Sequence, residues 1–188
     1  MSDLPGHGSR TRLPPREDSA ADGPPAADSP AHGLRTRLPP PLRPFGLRLH
    51  HDGSWTHEGQ PITHERLRQA FDRSVRWLPE ERKYVVQLGR FRGEIEVEEA
   101  AFFVRDFDAA SGAITLSDRT QEPLDPATLH ASPRDGALLC RVKRVLRPEG
   151  LLARFTHAAQ AALLDAVEET ADGPVLHAGG ARHPLPAL

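Results

Sequence analysis

The segment spanning residues 47–78 constrains the fold most, because it predicts a strand, a tight turn, a second strand and a helix in succession. Leu47 and Leu49 alternate with polar residues, as the two faces of a half-buried strand require. Asp52-Gly53 favours a hairpin turn, and Trp55 begins the returning strand. A folded domain is therefore expected to begin near residue 45.

The rest of this segment predicts a helix that continues to Leu78. Thr63 suits the N-cap position, and Ile62 is placed to pack onto Leu67 one turn later. Apolar residues then recur at helical spacing on one face, at Leu67, Ala70, Phe71, Val75 and Leu78. Pro79 ends the helix, because proline disfavours the helical conformation in the residue before it.

Residues 1–44 predict a disordered tail, since ten of the 19 prolines lie there and apolar residues are few. The tail contains a near-exact repeat, HGSRTRLPP at residues 7–15 and HGLRTRLPP at residues 32–40. One interpretation is a duplicated motif that docks a protein partner through a polyproline II ridge. The other is a segmental duplication without function, which a Pro-rich linker tolerates at no folding cost.

The chain beyond Pro79 is typical of an α+β protein. Strands are expected at 84–88, 94–98, 101–107, 113–117 and 137–142, a polar connection at 121–135, a helix at 151–168, and a terminal hairpin at 175–177 and 181–185. We expect a mostly antiparallel sheet of about seven or eight short strands in two small β-rich subdomains, with two principal helices. The predicted divisions are residues 1–44, 45–122 and 123–188.

Charge and composition argue against several classes of protein. The formal net charge of −2 lacks the basic excess that nucleic-acid binding requires. No apolar run is long enough for a membrane helix, and the single Cys140 suits a reducing compartment, so we expect a cytoplasmic protein. The phosphate-loop, dinucleotide and serine-nucleophile motifs are missing, and we therefore expect no cofactor and no catalytic residue.

The histidines and acidic residues favour structural roles. His50 and His51 point to opposite faces of a strand, and His64 has no partner at the spacing of a helical zinc motif, so no metal site is expected. The glutamates at 94, 96, 98 and 99 are interpreted as the solvated face of a strand. An alternative function is a small hydrolase that uses His57 or His64 with a nearby carboxylate.

The function that the sequence favours is a non-enzymatic regulatory module that binds a small molecule or a protein. Basic residues cluster at 73–92 and again at 141–147. The ligand site is expected near the first hairpin and these two basic clusters, at Trp55, His57, Gly59, Arg90 and Arg144. Aromatic, imidazole and guanidinium groups beside tight turns are typical of ligand sites on rigid scaffolds.

The stretch DGSWTHEGQPI at residues 52–62, followed by a helix, a Tyr-Val-Val strand and IEVEEAAFFV, resembles a bacterial family, domain of unknown function 1285. The resemblance covers about residues 47–185. It implies a small two-part α+β protein of the ligand-binding or signalling kind, without an assigned catalytic activity. The family usually has a Thr-Pro-Val-Glu-like stretch where this chain reads QLGRF at residues 87–91. If that stretch forms the family's ligand pocket, the resemblance implies an altered ligand here.

Overall fold

The computed structural model describes residues 42–186, for Arg43 the backbone only. Residues 1–41, which include both copies of the repeat and almost all of the tail predicted to be disordered, lie outside these described residues. Within them the chain forms two α-helices and fifteen strands in three sheets.

The first sheet is built from the segment that the sequence made most predictable. Its elements are β1 (Arg43–Leu49), β2 (Trp55–His57), β3 (Gln60–Pro61), α1 (Glu65–Ser74), β4 (Val75–Leu78), β5 (Lys83–Leu88) and β6 (Phe91–Val97). The strand order is β3-β2-β1-β6-β5-β4, with β1 parallel to β6 and every other neighbouring pair antiparallel. The predicted hairpin is confirmed, since Leu49 pairs with Trp55 across the turn at Gly53.

The second sheet repeats this strand order. Its elements are β7 (Phe102–Asp108), β8 (Ala113–Leu116), β9 (Gln121–Pro123), a 3-10 turn (Pro126–Thr128), β10 (His130–Ala131), β11 (Leu138–Val142) and β12 (Leu151–Phe155). The order β9-β8-β7-β12-β11-β10 matches that of the first sheet strand for strand, and the central pair β7 and β12 is again parallel.

The chain continues with α2 (His157–Leu164) and a third sheet of β13 (Val167–Thr170), β14 (Gly173–Ala178) and β15 (Ala181–Pro184). This sheet is antiparallel, in the order β13-β14-β15, and it contains the predicted terminal hairpin. Buried residues from all three sheets and both helices form one hydrophobic cluster. The predicted division at residues 122 and 123 stays a prediction. In the part of the chain that the structure describes, no helix combines the length and apolar character needed to cross a membrane.

The α+β class and the two helices are confirmed, but the expected sheet is wrong. A mostly antiparallel sheet of seven or eight strands is replaced, within residues 42–186, by fifteen strands in three sheets, two of them mixed. Much of the excess comes from very short strands such as β3, β9 and β10. Two or three residues are too few to show the alternation from which a strand is predicted.

The predicted first helix is too long. Its N-cap is His64 rather than Thr63, and it ends at Ser74, after which Val75–Leu78 forms β4. The apolar spacing that suggested helix is satisfied by strand pairing, since Val75 pairs with Val86 and Trp77 with Tyr84. Beta-branched and aromatic side chains fit such a half-buried pleated surface well.

The predicted helix at residues 151–168 is also wrong at both ends. Residues 151–155 form the central strand β12, which pairs with β11 on one side and β7 on the other. Thr156 then caps α2, its hydroxyl accepting from the N–H of Ala159, and β13 begins at Val167. A short, mostly apolar run that is buried on both faces, as LLARF is here, suits a central strand as well as a helix.

Candidate functional site

An apolar groove of about 420 Å³ lies beside α1 on one face of the first sheet. It is lined by Phe45, Leu47, His57, Ile62, Leu67, Phe71, Val86, Leu88 and Phe91. Phe91 is 67% exposed and Leu67 is 40% exposed, so part of this apolar lining faces water. A volume of this size falls within the range of small-molecule sites, about 300–1,000 Å³.

The ring of Phe45 is held against the sheet by a glycine in the neighbouring strand. β1 shifts register against β6 between Pro44 and Leu47, and Phe45 falls within that irregularity. A Cβ atom at Gly93 would lie only 1.5 Å from Cδ2 of the Phe45 ring. Only glycine allows this close approach, so the pair fixes the position of one groove wall.

The helix that forms another wall is anchored at both ends. At its start, Nδ1 of His64 accepts a hydrogen bond from the backbone N–H of Leu67 at 3.3 Å. Further along, the rings of Phe71 and Trp55 pack with their centroids 5.3 Å apart. The indole N–H of Trp55 donates to Asp72 at 2.9 Å, which ties the helix to β2.

Of the five predicted site residues, one lines this groove and two others lie in turns next to lining residues. His57 lines it, while Gly59 lies in the β2–β3 turn and Arg90 in the β5–β6 turn, between the lining residues Leu88 and Phe91. Trp55 is 1% exposed and lies behind Phe71. Arg144 is not among the lining residues, and it pairs with Asp125 at 2.8 Å. A role in ligand binding stays a prediction for all five.

The histidines of the proposed hydrolase do not pair with carboxylates in the described residues. His64 serves as a helix cap, and no hydrogen bond or ion pair joins His57 to an acid there. A His-carboxylate cluster occurs instead at Glu98, whose Oε2 lies 3.0 Å from Nδ1 of His51 and 3.4 Å from Nδ1 of His50. The backbone N–H and the ring of His51 lower the pKa of Glu98 to about 2.

The adjoining Glu99 belongs to a buried ion pair. Arg154, 6% exposed, donates to Glu99 at 2.8 Å and also contacts Asp135. Ser132 donates to Glu99 at 2.6 Å. The interpretation of this acidic run as a solvated face is therefore wrong for Glu99, because the linker between the first two sheets turns its side chain into the protein. Within residues 42–186, no group of three or more potential ligands is arranged to hold a metal ion.

Sequence reasoning missed most of the groove, whose lining comes from six separate segments of the chain. Two local signals did exist. Phe91 is an isolated aromatic residue in the polar turn GRFRGE, and Gly93 interrupts a strand, which often marks a close approach by another group. Neither signal names the partner, since Phe45 is almost fifty positions away.

The fold is similar to that of a DUF1285 family protein from Silicibacter pomeroyi DSS-3, whose crystal structure matches with a TM-score of 0.56. The two chains are 20% identical, and the match covers 79% of this chain and 84% of the other. A DUF1285 family protein from Shewanella baltica OS155 matches with a TM-score of 0.44 at 14% identity, covering 64% of this chain and 91% of the other. No family model and no curated protein matches the chain. The predicted resemblance to DUF1285 proteins is thus confirmed at the level of the fold.

Proposed function

We propose that this protein is a non-enzymatic binding module whose groove beside α1 holds a small amphipathic molecule with an apolar chain and an anionic head. The observation that carries the proposal is the open groove itself. Eight of its nine lining side chains are apolar, and Leu67 and Phe91 remain partly exposed to water. Each Å² of apolar surface removed from water contributes about 25 cal/mol of favourable free energy, so such a groove favours an apolar occupant.

The anionic head is supported by the groups around the groove. His57 is the one lining side chain that can hydrogen-bond, and Arg90 lies in the turn between two lining residues. Arg90 is exposed, and within residues 42–186 it is Arg92, not Arg90, that pairs with an acid, Glu81. A guanidinium in this position offers a bidentate contact to a carboxylate.

Binding agrees with the geometry better than the hydrolase alternative does. The hydrolase alternative pairs a histidine with a nearby carboxylate, and in such pairs the two groups typically lie within hydrogen-bond reach, about 2.6–3.2 Å. Neither His57 nor His64 has such a carboxylate partner in the described part of the chain. The proposal also keeps the predicted cytoplasmic location, which is supported by a single, fully buried cysteine, Cys140.

The proposal is tested with decanoate and decan-1-ol as probes, with their affinities measured by isothermal titration calorimetry. Decanoate is expected to bind more tightly than decan-1-ol, because only the acid can pair with Arg90. Leu67→Gln and Phe91→Ser should each weaken both probes about fivefold, which corresponds to a loss of about 1 kcal/mol of apolar contact. Arg90→Gln should weaken decanoate and leave decan-1-ol unchanged.

The matched control is Leu164→Gln, which changes a leucine of similar exposure, 47%, on the other helix. This variant should bind both probes as the wild type does. The proposal is wrong if neither probe binds the wild type, or if Leu164→Gln weakens binding as much as Leu67→Gln does. Binding of an amphipathic helical peptide in place of both probes would assign the groove to a protein partner and would also overturn the proposal.

A further inference from the structure

A second, polar cleft of about 650 Å³ lies between the opposite side of α1 and the second sheet. α1 contributes side chains at Glu65, Arg68, Gln69, Asp72 and Arg73, whose spacing places them along one helix face. The other wall includes Arg105 on β7 and Arg119 in the β8–β9 turn. Four guanidinium groups therefore surround a cavity large enough for a small metabolite.

The carboxylates of the cleft are already engaged by neighbouring groups. Asp72 accepts from Arg105 at 2.7 Å as well as from the indole of Trp55. Glu65 pairs with Arg68 and accepts from the amide of Gln69. The third acid, Asp52, accepts from the backbone N–H of its neighbour Ser54 at 2.8 Å.

Two arginines on opposite walls are left without an acidic partner among the described residues. Arg73 donates from Nε to the backbone carbonyl of Gln69 at 2.9 Å, and Arg119 makes no side-chain hydrogen bond or ion pair there. The positive charges of Arg73 and Arg119, which no acid among the described residues offsets, favour an anionic ligand between the two walls.

We propose that this cleft binds a small phosphorylated molecule with a hydroxylated body, a class that includes sugar phosphates and nucleoside monophosphates. A phosphate monoester carries nearly two negative charges at neutral pH and three acceptor oxygens, which match the charge of Arg73 and Arg119. Thr115 and Ser117 line the same cleft and accept hydrogen bonds from Gln121 and from the Phe103 N–H. Each of these hydroxyl groups can therefore still donate a hydrogen bond to the hydroxylated body of the ligand.

This site is separate from the apolar groove, so the two proposals stand or fall independently. D-ribose 5-phosphate and adenosine 5′-monophosphate serve as probes for calorimetry on the full chain, with D-ribose and adenosine as unphosphorylated controls. At least one phosphorylated probe should bind, and its unphosphorylated counterpart should not.

Arg119→Gly is the most informative variant, because Arg119 has a φ of +68°, which glycine adopts without strain. The variant should fold at least as well as the wild type and weaken the phosphorylated probe by about tenfold or more. Arg73→Gln, on the opposite wall, should weaken it similarly. Neither change should alter decanoate binding in the groove.

Arg82→Gly is the matched control, since Arg82 is also an exposed arginine at positive φ, +53°, and lies outside the cleft. It should leave the affinity for the phosphorylated probes unchanged. The proposal is overturned if neither phosphorylated probe binds up to about 10 mM, if the unphosphorylated compounds bind equally well, or if Arg82→Gly weakens binding as much as Arg119→Gly does.

Discussion

Substitution of Gly93 by alanine should destabilise the protein only while the ring of Phe45 is present. The new Cβ would lie 1.5 Å from Cδ2 of that ring, whereas ordinary van der Waals contact begins near 3.4 Å, so the ring must move by about 1.9 Å. Overpacking of this kind costs about 1–3 kcal/mol. Because alanine is preferred over glycine within a strand by about 0.5–1 kcal/mol, we expect Gly93→Ala to lower the free energy of unfolding by about 1–2 kcal/mol in total.

A double-mutant cycle isolates this contact. In a Phe45→Ala background the clashing ring carbons are gone, so Gly93→Ala should be neutral or should stabilise the protein by about 0.5–1 kcal/mol. The two substitutions should therefore couple by about 2 kcal/mol, well beyond the error expected for independent sites. The reversal of sign, rather than the size of either single effect, is the diagnostic result.

The free energy of unfolding of the four proteins is measured by urea denaturation followed by circular dichroism, with the m-value checked for constancy. The wild-type and Gly93→Ala proteins should differ in melting temperature by about 2–8 °C. If Gly93→Ala lowers the free energy of unfolding equally in the wild-type and Phe45→Ala backgrounds, the described packing of Phe45 on Gly93 is refuted. This contact would then not fix a wall of the groove.

Three further predictions concern the core and the acidic linker. The pKa of Glu98 in the folded protein, about 2, lies below its ordinary value of 4.5, so its contribution to stability is present above pH 4.5 and is lost as the pH falls towards 2. Glu98→Gln should therefore flatten the acid side of the stability profile, and an unchanged slope would contradict the assigned His51 contacts. Glu99→Ala should lower the free energy of unfolding, measured by urea denaturation, by about 3 kcal/mol, because Arg154 keeps only one acidic partner. A loss below about 0.5 kcal/mol would count against a buried ion pair. Burial raises the pKa of the Cys140 thiol to about 12, so a thiol reagent at pH 8 should label it only at the rate of unfolding, and rapid labelling of the folded protein would refute its burial.

Local sequence signals predicted the parts of the fold that depend on neighbouring residues. The turn at Gly53, the strand around Val85 and the strands β7 and β8 all follow from short-range alternation and turn chemistry. Where long-range pairing decides the structure, the prediction failed. Residues 75–78 and 151–155 have apolar spacing compatible with a helix, and only their pairing partners make them strands.

The candidate sites could be predicted only in part. His57 was found because it follows the hairpin turn, and it does line the groove. The sequence did not reveal Phe45 and Phe91 as groove residues, since their proximity depends on the parallel pairing of β1 with β6. The polar cleft depends similarly on the contact between α1 and the second sheet, where Arg105 meets Asp72 across 33 positions.

The most direct test of the proposed function is a titration of ¹⁵N-labelled protein with decanoate, in which amide chemical shifts report where the probe binds. We predict that the largest shift changes occur at the groove residues, such as Leu47, Leu67 and Phe91, and saturate together at a single affinity. An absence of saturable changes, or changes centred on residues away from this groove, would contradict the proposal.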